Sequence, residues 1–163
     1  MHVLTVDEQL VNTAKARGIA EREMAVSAEQ LFATFEDART WPQWVPGMRE
    51  ATWTSPKPLG KGATRTVKMA GGIRIDEVFW AWEPYRVGFS FAAASIGWVN
   101  GFAEVYEITP LSADRCKLRW TVAASLRAVP SKVEPLLGRV MPIIQKRLLK
   151  KLERVAGELS TPV

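Results

Sequence analysis

Residues 131–159 read SKVEPLLGRVMPIIQKRLLKKLERVAGEL and predict one long amphipathic helix. Apolar residues recur here every three or four positions, the spacing that puts side chains on one face of an α-helix. Unbroken, this helix would be roughly 40 Å long at about 1.5 Å per residue. A helix of that length with one apolar face needs a large partner surface, so it sets the architecture of the fold. The stripe comprises Val133, Leu137, Val140, Met141, Ile144, Leu148, Leu152, Val155 and Leu159.

The start of this helix carries its own signals. Ser131 and Glu134 have the spacing of a capping box, and Pro135 falls in the first turn, where proline is tolerated. Gly138 and Pro142 predict a kink or a break in the first third of the helix.

Much of the positive charge lies on the polar side of the same helix. The chain has a net charge of +5, and Lys146, Lys150 and Arg154 share that side, with Arg147 and Lys151 beside them. Transient contact of this basic face with an anionic membrane surface is one prediction. Nucleic-acid binding is not expected, because single-strand recognition needs aromatic and basic residues interleaved on one surface, and this face carries no aromatic residue.

Upstream of the long helix, the apolar period falls from about 3.6 to two, which is typical of strands. Ser27 and Gln30 form a capping box for a short helix over 27–38. Short turns such as the AGG at 70–72 favour an antiparallel meander. The alternating segments predict about seven strands, at 19–26, 49–54, 63–70, 73–82, 87–93, 102–109 and 116–125.

This order of elements predicts an α+β fold in which a curved antiparallel sheet wraps around the long C-terminal helix. Short helices follow the first strand, and small and large side chains on the concave face can leave a cavity. The chain has 163 residues, of which 47% are hydrophobic, so residues 1–163 are expected to form one domain. Residues 1–15 are predicted to be a loosely attached N-terminal segment.

The scarcity of cysteine and histidine excludes several classes of site. Cys116 and His2 are the only residues of their kinds, so the chain can form no internal disulfide and no zinc site built on cysteines and histidines. Neither phosphate-binding nor dinucleotide-binding glycine motifs occur. We therefore expect no metal and no cofactor, and a cytoplasmic protein. Whether it is a monomer or a homodimer stays open.

The stretch WPQWVPG at 41–47 follows the short helix and is stiffened by two prolines. Trp41 and Trp44 are three residues apart and point the same way if a helical turn persists there. One of them is predicted to fill the core beneath the short helix, and the other to border a cavity entrance.

Taken together, these features resemble the START-like helix-grip (SRPBCC) superfamily, in its polyketide cyclase/dehydrase-like branch. The resemblance covers about residues 19–157. It implies the helix-grip fold and a hydrophobic ligand held between sheet and helix, but no catalytic motif. It is carried by the long helix and by AVSAEQLFATFEDARTWPQWVP at 25–46, GATRTV at 62–67, IDEVFWAWEP at 75–84 and CKLRWTV at 116–122.

The inward faces of the predicted strands are mostly apolar and aromatic, as a pocket for an apolar ligand should be. The predicted ligand-binding residues are Trp44, Val67, Ile75, Phe79, Phe89, Phe91, Phe102, Tyr106, Leu118, Trp120, Met141, Ile144 and Leu148.

Three charged residues interrupt these apolar faces: Arg65, Glu77 and Glu104. A buried charge is costly unless it is paired, so an ion pair of Arg65 with one of the glutamates is the simplest interpretation. Alternatively, with Tyr106, they orient a ligand or move a proton. A register shift or a bulge would instead turn one of them outward.

The leading functional prediction is binding or transport of a small hydrophobic ligand, either a lipid, a polyketide or an aromatic compound. The alternative is a cofactor-independent cyclase or dehydratase, with Glu77, Glu104, Tyr106 and Arg65 as candidate catalytic residues. A partner-binding module with a filled core is the third reading.

Overall fold

A computed structural model describes residues 1–130 and 132–159. Eight antiparallel strands form one curved sheet in the order β2-β8-β7-β6-β5-β4-β3, and β1 pairs with the end of β6. The strands are β1 His2–Val3, β2 Ala16–Met24, β3 Met48–Trp53, β4 Thr64–Met69, β5 Arg74–Glu83, β6 Arg86–Ala94, β7 Val99–Ser112 and β8 Arg115–Leu126. The helices are α1 Leu10–Thr13, α2 Ala28–Glu36, α3 Trp41–Trp44 and α4 Glu134–Glu158, with 3₁₀ turns at Ala38–Thr40 and Ala70–Gly72.

The predicted helix-grip arrangement is confirmed. All seven predicted strands are present, and α4 packs along β2 and across the concave side of the sheet, where α2 and α3 also contact it. The capping box of α2 is present as well: Gln30 N donates to Ser27 Oγ at 3.1 Å, and Ser27 N donates to Gln30 Oε1 at 2.7 Å. The strand missing from the prediction is β1, whose two residues are too few to show an alternating pattern.

The N-terminal segment contacts the sheet at two places. Beyond the pairing of β1, Leu4 N donates to Ala92 O at 2.8 Å, and the side chains of Leu4 and Val11 are buried. That residues 1–15 are only loosely attached to the domain stays a prediction. Among the described residues, no helix is long and apolar enough to cross a membrane.

Bulges in β5 decide which side of the sheet its tryptophans occupy. The register of β5 against β6 shifts between Phe79 and Ala81. Trp80 and Ala81 therefore both belong to the convex side, whereas Trp82 returns to the concave side, 5.4 Å from the ring of Phe79. On the convex side a second, smaller apolar cluster forms, which we call the outer cluster; it comprises Val11, Trp80, Ala81, Ala103, Val105 and Ala123.

Helix α4 is continuous across Gly138 and Pro142, so the predicted break in its first third does not occur. Val133 is its N-cap residue and makes no side-chain capping bond. The predicted capping role of Ser131 lies outside the described residues.

The apolar stripe predicted for α4 is wrong in the first half of the helix. Leu137, Val140 and Ile144 are exposed there, and the side facing the sheet carries Gly138 and Gln145 instead. The reason is close backbone contact: a Cβ atom at position 138 would lie 2.7 Å from the carbonyl oxygen of Arg17 in β2. Only glycine permits this close approach. Because the side of α4 that carries Gly138 faces β2, the apolar residues Leu137, Val140 and Ile144 on the opposite side face outward.

Replacing Gly138 with alanine is therefore expected to lower the melting temperature. The added methyl group would push α4 away from β2, and because the nearest atoms are backbone, at 2.7 and 3.1 Å, the cost should lie near the upper end of the usual range, about 3 kcal/mol, which outweighs the gain of about 1 kcal/mol in helix propensity. Gly157, in the same helix, is the matched control, because a Cβ there would meet its nearest atom at 3.9 Å. Gly157→Ala should raise the melting temperature. Equal shifts of the same sign in the two variants would contradict the close contact.

Candidate ligand-binding site

A cavity of about 180 Å³ lies between the concave face of the sheet, α3 and α4. We call it the inner chamber. Eight of the thirteen predicted ligand-binding residues line it: Val67, Ile75, Phe89, Phe91, Phe102, Tyr106, Trp120 and Leu148. The three charged candidates Arg65, Glu77 and Glu104 line it as well. The structure therefore brings the predicted apolar and polar candidates to one place.

A second cavity of about 360 Å³, the outer chamber, adjoins the inner one. The two share Met69, Ile75, Phe91 and Phe102 as lining residues. The outer chamber lies at the end of the sheet where β6 and β8 end and β7 begins, and its lining is apolar. Trp98 stands at this chamber with 58% of its surface exposed.

Five predicted ligand-binding residues do not line the inner chamber. Trp44, Phe79 and Leu118 are fully buried in the core behind its wall, since alternation identifies the inward face but not which inward residues reach a void. Met141 is partly buried against β2: a Cβ atom added to Gly18 of that strand would lie 2.5 Å from the Cβ atom of Met141. Ile144 is 53% exposed, because it lies on the outward side of α4.

Glu104 and Tyr106 lie on the concave face of β7, opposite Trp120 of β8. Tyr106 and Trp120 are direct cross-strand partners, and their rings stack with centroids 5.4 Å apart. Tyr106 Oη donates a short hydrogen bond to Glu104 Oε2, and Trp120 Nε1 donates to the same oxygen at 3.0 Å. Within residues 1–130 and 132–159, Glu104 Oε1 accepts no hydrogen bond. One oxygen of this carboxylate is therefore available to a ligand.

Burial raises the pKa of Glu104 from 4.5 to about 7. The hydrogen bond from Tyr106 opposes this shift, and the negative charge of Glu77 adds to it. Burial and the nearby charge of Glu104 also raise the pKa of Tyr106 well above its ordinary value, so the phenol stays protonated. Near neutral pH, Glu104 can therefore accept a hydrogen bond as a carboxylate or donate one as an acid.

The stability of the protein is consequently expected to fall as the pH rises from about 4.5 to about 7. A carboxyl whose pKa is raised on folding stabilises the folded state fully below its unfolded value of 4.5, and that stabilisation is lost as the pH passes through about 7. Thermal melting across this range should show a smaller decline in Glu104→Gln than in the native protein. Glu107→Gln, an exposed residue on the same strand, is the control and should melt like the native protein. Identical pH profiles for Glu104→Gln and the native protein would contradict the assignment.

Arg65 and Glu77 form a buried ion pair on neighbouring strands. They are direct partners in the β4–β5 register, and Arg65 Nε donates to Glu77 Oε2 at 2.7 Å. The guanidinium lies over the ring of Trp41, with its central carbon 3.9 Å from the ring centroid. Burial raises the pKa of Glu77, and the adjacent positive charge of Arg65 partly offsets the shift. The structure therefore confirms the predicted buried ion pair, in which Arg65 pairs with Glu77, and both side chains line the inner chamber.

The two tryptophans of WPQWVPG both belong to one helical turn, α3, with Pro42 at its start. Their ring centroids are 5.2 Å apart, and each is 1% exposed. Trp41 lines the inner chamber and caps Arg65, whereas Trp44 packs in the core against Phe35. Because both are buried, neither can border an entrance from solvent; the exposed tryptophan that lines the cavity is Trp98.

Several lining residues were missed by the sequence prediction. Val45 and Met48 flank the α3–β3 connection, and Met69 ends β4. Their positions depend on how the connections fold over the sheet, which periodicity does not describe. Ile96 and Trp98 lie between the predicted strands at 87–93 and 102–109, and a tryptophan outside a predicted strand was the available signal.

A sequence model described as "Polyketide cyclase / dehydrase and lipid transport" matches residues 16–157. An uncharacterized protein of Mycobacterium tuberculosis is 40% identical over 136 residues, which are 81% of this chain and 79% of that protein. A START superfamily protein from Mycobacterium smegmatis superimposes with a TM-score of 0.73 at 17% identity, covering 88% of this chain and 99% of the other.

The Zhui aromatase/cyclase from a Streptomyces species superimposes with a TM-score of 0.62 at 15% identity, covering 87% of this chain and 92% of that enzyme. At such identities the two solved structures show the fold alone. The match to the family over residues 16–157 goes further. The chain belongs to the polyketide cyclase / dehydrase and lipid transport family.

Proposed function

We propose that the protein binds or transports a small hydrophobic ligand. One polar group of this ligand points toward Glu104. The observation that carries this proposal is an apolar chamber with a carboxylate oxygen, Oε1 of Glu104, that no described residue uses. A ligand hydroxyl or amine that donates to this oxygen would satisfy it. The aromatic walls formed by Phe89, Tyr106 and Trp120 favour a flat ring next to that group.

The dimensions of the two chambers limit the size of this ligand. The inner chamber of about 180 Å³ suits a group of one or two rings, and the outer chamber of about 360 Å³ can take an apolar extension. Together they fall within the range of roughly 300–1,000 Å³ that is usual for small-molecule sites. An aromatic or polyketide compound, or a lipid with a small head, meets these limits.

Two measurements test ligand binding. Native mass spectrometry of protein taken from cells should show a co-purified hydrophobic compound. Titration with naphthol and naphthalene, followed by tryptophan fluorescence, isolates the role of the polar group. The native protein should prefer naphthol by about tenfold or more, because a hydrogen bond to a charged acceptor contributes about 1.5–3 kcal/mol.

Glu104→Gln should lose this preference while it still binds naphthalene, since an amide NH₂ can replace the free acceptor oxygen. The variant keeps an acceptor for Tyr106 and Trp120, so the chamber should retain its shape. Glu107→Gln, on the outer face of the same strand, is the matched control and should keep the preference. Equal affinity of the native protein for both compounds would refute recognition by Glu104, and binding of neither would refute the chamber as a ligand site.

A second candidate function is favoured by one observation, the pKa of about 7 for Glu104. A carboxylate with a pKa near neutral can remove a proton from the carbon next to a ketone. In an aldol-type ring closure the resulting enolate carbon attacks a second carbonyl of the same molecule, and the carboxylic acid returns the proton to the alkoxide oxygen that forms. Arg65 Nη1 is buried without a hydrogen-bond partner among the described residues and could donate to the ketone oxygen and polarise it, while the Tyr106 hydroxyl, which donates its proton to Glu104 Oε2, holds the carboxylate in place. The protein would then be a cofactor-independent cyclase or dehydratase.

Deuterium exchange separates the enzyme from the carrier. Tetralone in heavy water exchanges its acidic carbon-bound protons slowly, and NMR follows the loss of signal. An enzyme should accelerate the exchange, and Glu104→Gln should reduce the acceleration by about 10²–10⁴-fold. A native protein that binds tetralone without accelerating exchange would be a carrier.

We also propose that the protein acts in the cytoplasm. The proposal is supported by the single cysteine, Cys116, because a chain that can form no internal disulfide is typical of a reducing compartment. Cell fractionation of an epitope-tagged protein tests this localisation.

A further inference from the structure

The first half of α4 leaves an apolar surface uncovered. Its residues are between 36% and 57% exposed, although they belong to a helix whose opposite side is packed on β2. At about 100° per residue they occupy roughly 120° of the helix circumference, so they form one continuous surface. We call this surface the outer stripe; it comprises Leu136, Leu137, Val140, Ile143 and Ile144.

The outer stripe is surrounded by positive charge that the protein does not neutralise. Across residues 132–151 there are six basic residues and one acidic residue, Glu134. Within residues 1–130 and 132–159 none of the six takes part in an ion pair. They are Lys132, Arg139, Lys146, Arg147, Lys150 and Lys151.

The outer stripe lies at the same end of the fold as the outer chamber, because Gly138 of α4 packs against Arg17 at the start of β2, and the neighbouring Ala16 pairs with Ala124, which lines that chamber. Leu148 lines the inner chamber, and Ile144 lies one helical turn earlier on the same side of α4. Leu126, the last residue of β8, lines the outer chamber, and the chain passes from there to the start of α4. The exposed ring of Trp98 stands at that chamber as well. Exposed apolar groups therefore gather at the end of the fold where the outer chamber lies.

We propose that the outer stripe and Trp98 dock on the surface of an anionic lipid bilayer, with the cavity opening toward the membrane. The apolar side chains would enter the boundary between headgroups and acyl chains, and the unpaired basic residues would contact the anionic headgroups. A second copy of the chain fits this face less well, because the two sets of unpaired cations would meet and repel each other. The proposal differs from contact through the basic face alone, since it requires the apolar residues.

Co-sedimentation with vesicles tests the proposal. The vesicles consist of phosphatidylcholine alone or of phosphatidylcholine and phosphatidylglycerol in a three-to-one ratio. The native protein should bind the anionic vesicles at low salt, and the double variant Leu136→Ser/Ile143→Ser should bind them at least tenfold more weakly. Leu111→Ser is the matched control: Leu111 is 48% exposed at the β7–β8 turn, at the opposite end of the sheet, and its replacement should leave binding unchanged.

Thermal melting confirms that both variants are folded, which is expected because the replaced side chains are exposed. Naphthol binding should be the same in the double variant as in the native protein, so failure of docking is distinguishable from failure of the ligand site. Three results would overturn the proposal: no binding to anionic vesicles at low salt, binding that the double variant retains, or self-association that the double variant abolishes while vesicle binding is absent.

Discussion

Replacement of Glu77 with alanine is expected to lower the free energy of unfolding by about 3–5 kcal/mol, since it leaves a buried charge without its partner. The Arg65 side chain is 0% exposed and that of Glu77 is 3% exposed. Arg65 Nη1 already lacks a hydrogen-bond partner among the described residues, so the guanidinium would be left against aromatic rings, of which that of Trp41 is the nearest at 3.9 Å. Urea denaturation followed by tryptophan fluorescence measures the change.

Two controls show whether the loss comes from the unpaired charge. Glu50→Ala removes a carboxylate that pairs with Lys68 at 2.9 Å on the exposed side of the sheet, and it should cost less than about 1 kcal/mol. The double variant Arg65→Met/Glu77→Leu removes both charges and should recover most of the stability lost in Glu77→Ala. If Glu77→Ala costs no more than Glu50→Ala, the pair does not behave as a buried one.

Replacement of Trp44 with alanine is expected to cost about 3–5 kcal/mol of stability, the range for a large aromatic residue lost from a core. Its ring lies 5.9 Å from that of Trp120 and 6.2 Å from that of Tyr106, measured between centroids. Its Nε1 has no hydrogen-bond partner among the described residues, so the loss is one of packing. Urea denaturation and the naphthol titration, measured on the same variant, separate stability from binding.

Trp98→Ala is the matched control for this variant, because the ring of Trp98 is largely exposed and its loss should change stability by less than about 0.5 kcal/mol. Trp44→Ala that keeps its stability but loses naphthol binding would show that this residue contacts ligand and does not support the core. The prediction of Trp44 as a ligand-binding residue would then hold after all.

The parts of the fold that rest on periodicity were predictable from the sequence. The strands and the length of α4 follow from patterns that repeat over many residues, so one exception changes little. An ion pair of Arg65 with Glu77 or Glu104 was predictable for a related reason: a charge on an inward face needs a partner of opposite sign. The pattern left the choice between the two glutamates open, and the β4–β5 register decides it in favour of Glu77. Trp41 and Trp44 could be placed in one turn, but not assigned to chamber or core, because both are equally apolar.

The orientation of α4 was not predictable from hydrophobicity. Gly138 and Gln145 face the sheet because backbone approach and a hydrogen bond, from Gln145 Nε2 to Trp120 O at 3.0 Å, decide that contact. Neither signal contributes to an apolar stripe, so Ile144 was assigned to the cavity. The size of the inner chamber was not predictable either. A cavity volume depends on how all the lining side chains pack together, and no single residue in the sequence determines it.

The outer cluster on the convex side of the sheet bears on how the site responds when a ligand arrives. β-strands that border an empty chamber lose contacts on their concave face, and a sheet supported on that face alone would tend to collapse inward. Here β5, β7 and β8 are also held from behind, where Trp80 donates a hydrogen bond to Ser90 Oγ at 3.1 Å and packs with Ala103, Val105 and Ala123. For the proposed ligand the wall would therefore be preorganised, and little of the free energy of binding would be spent on reshaping it.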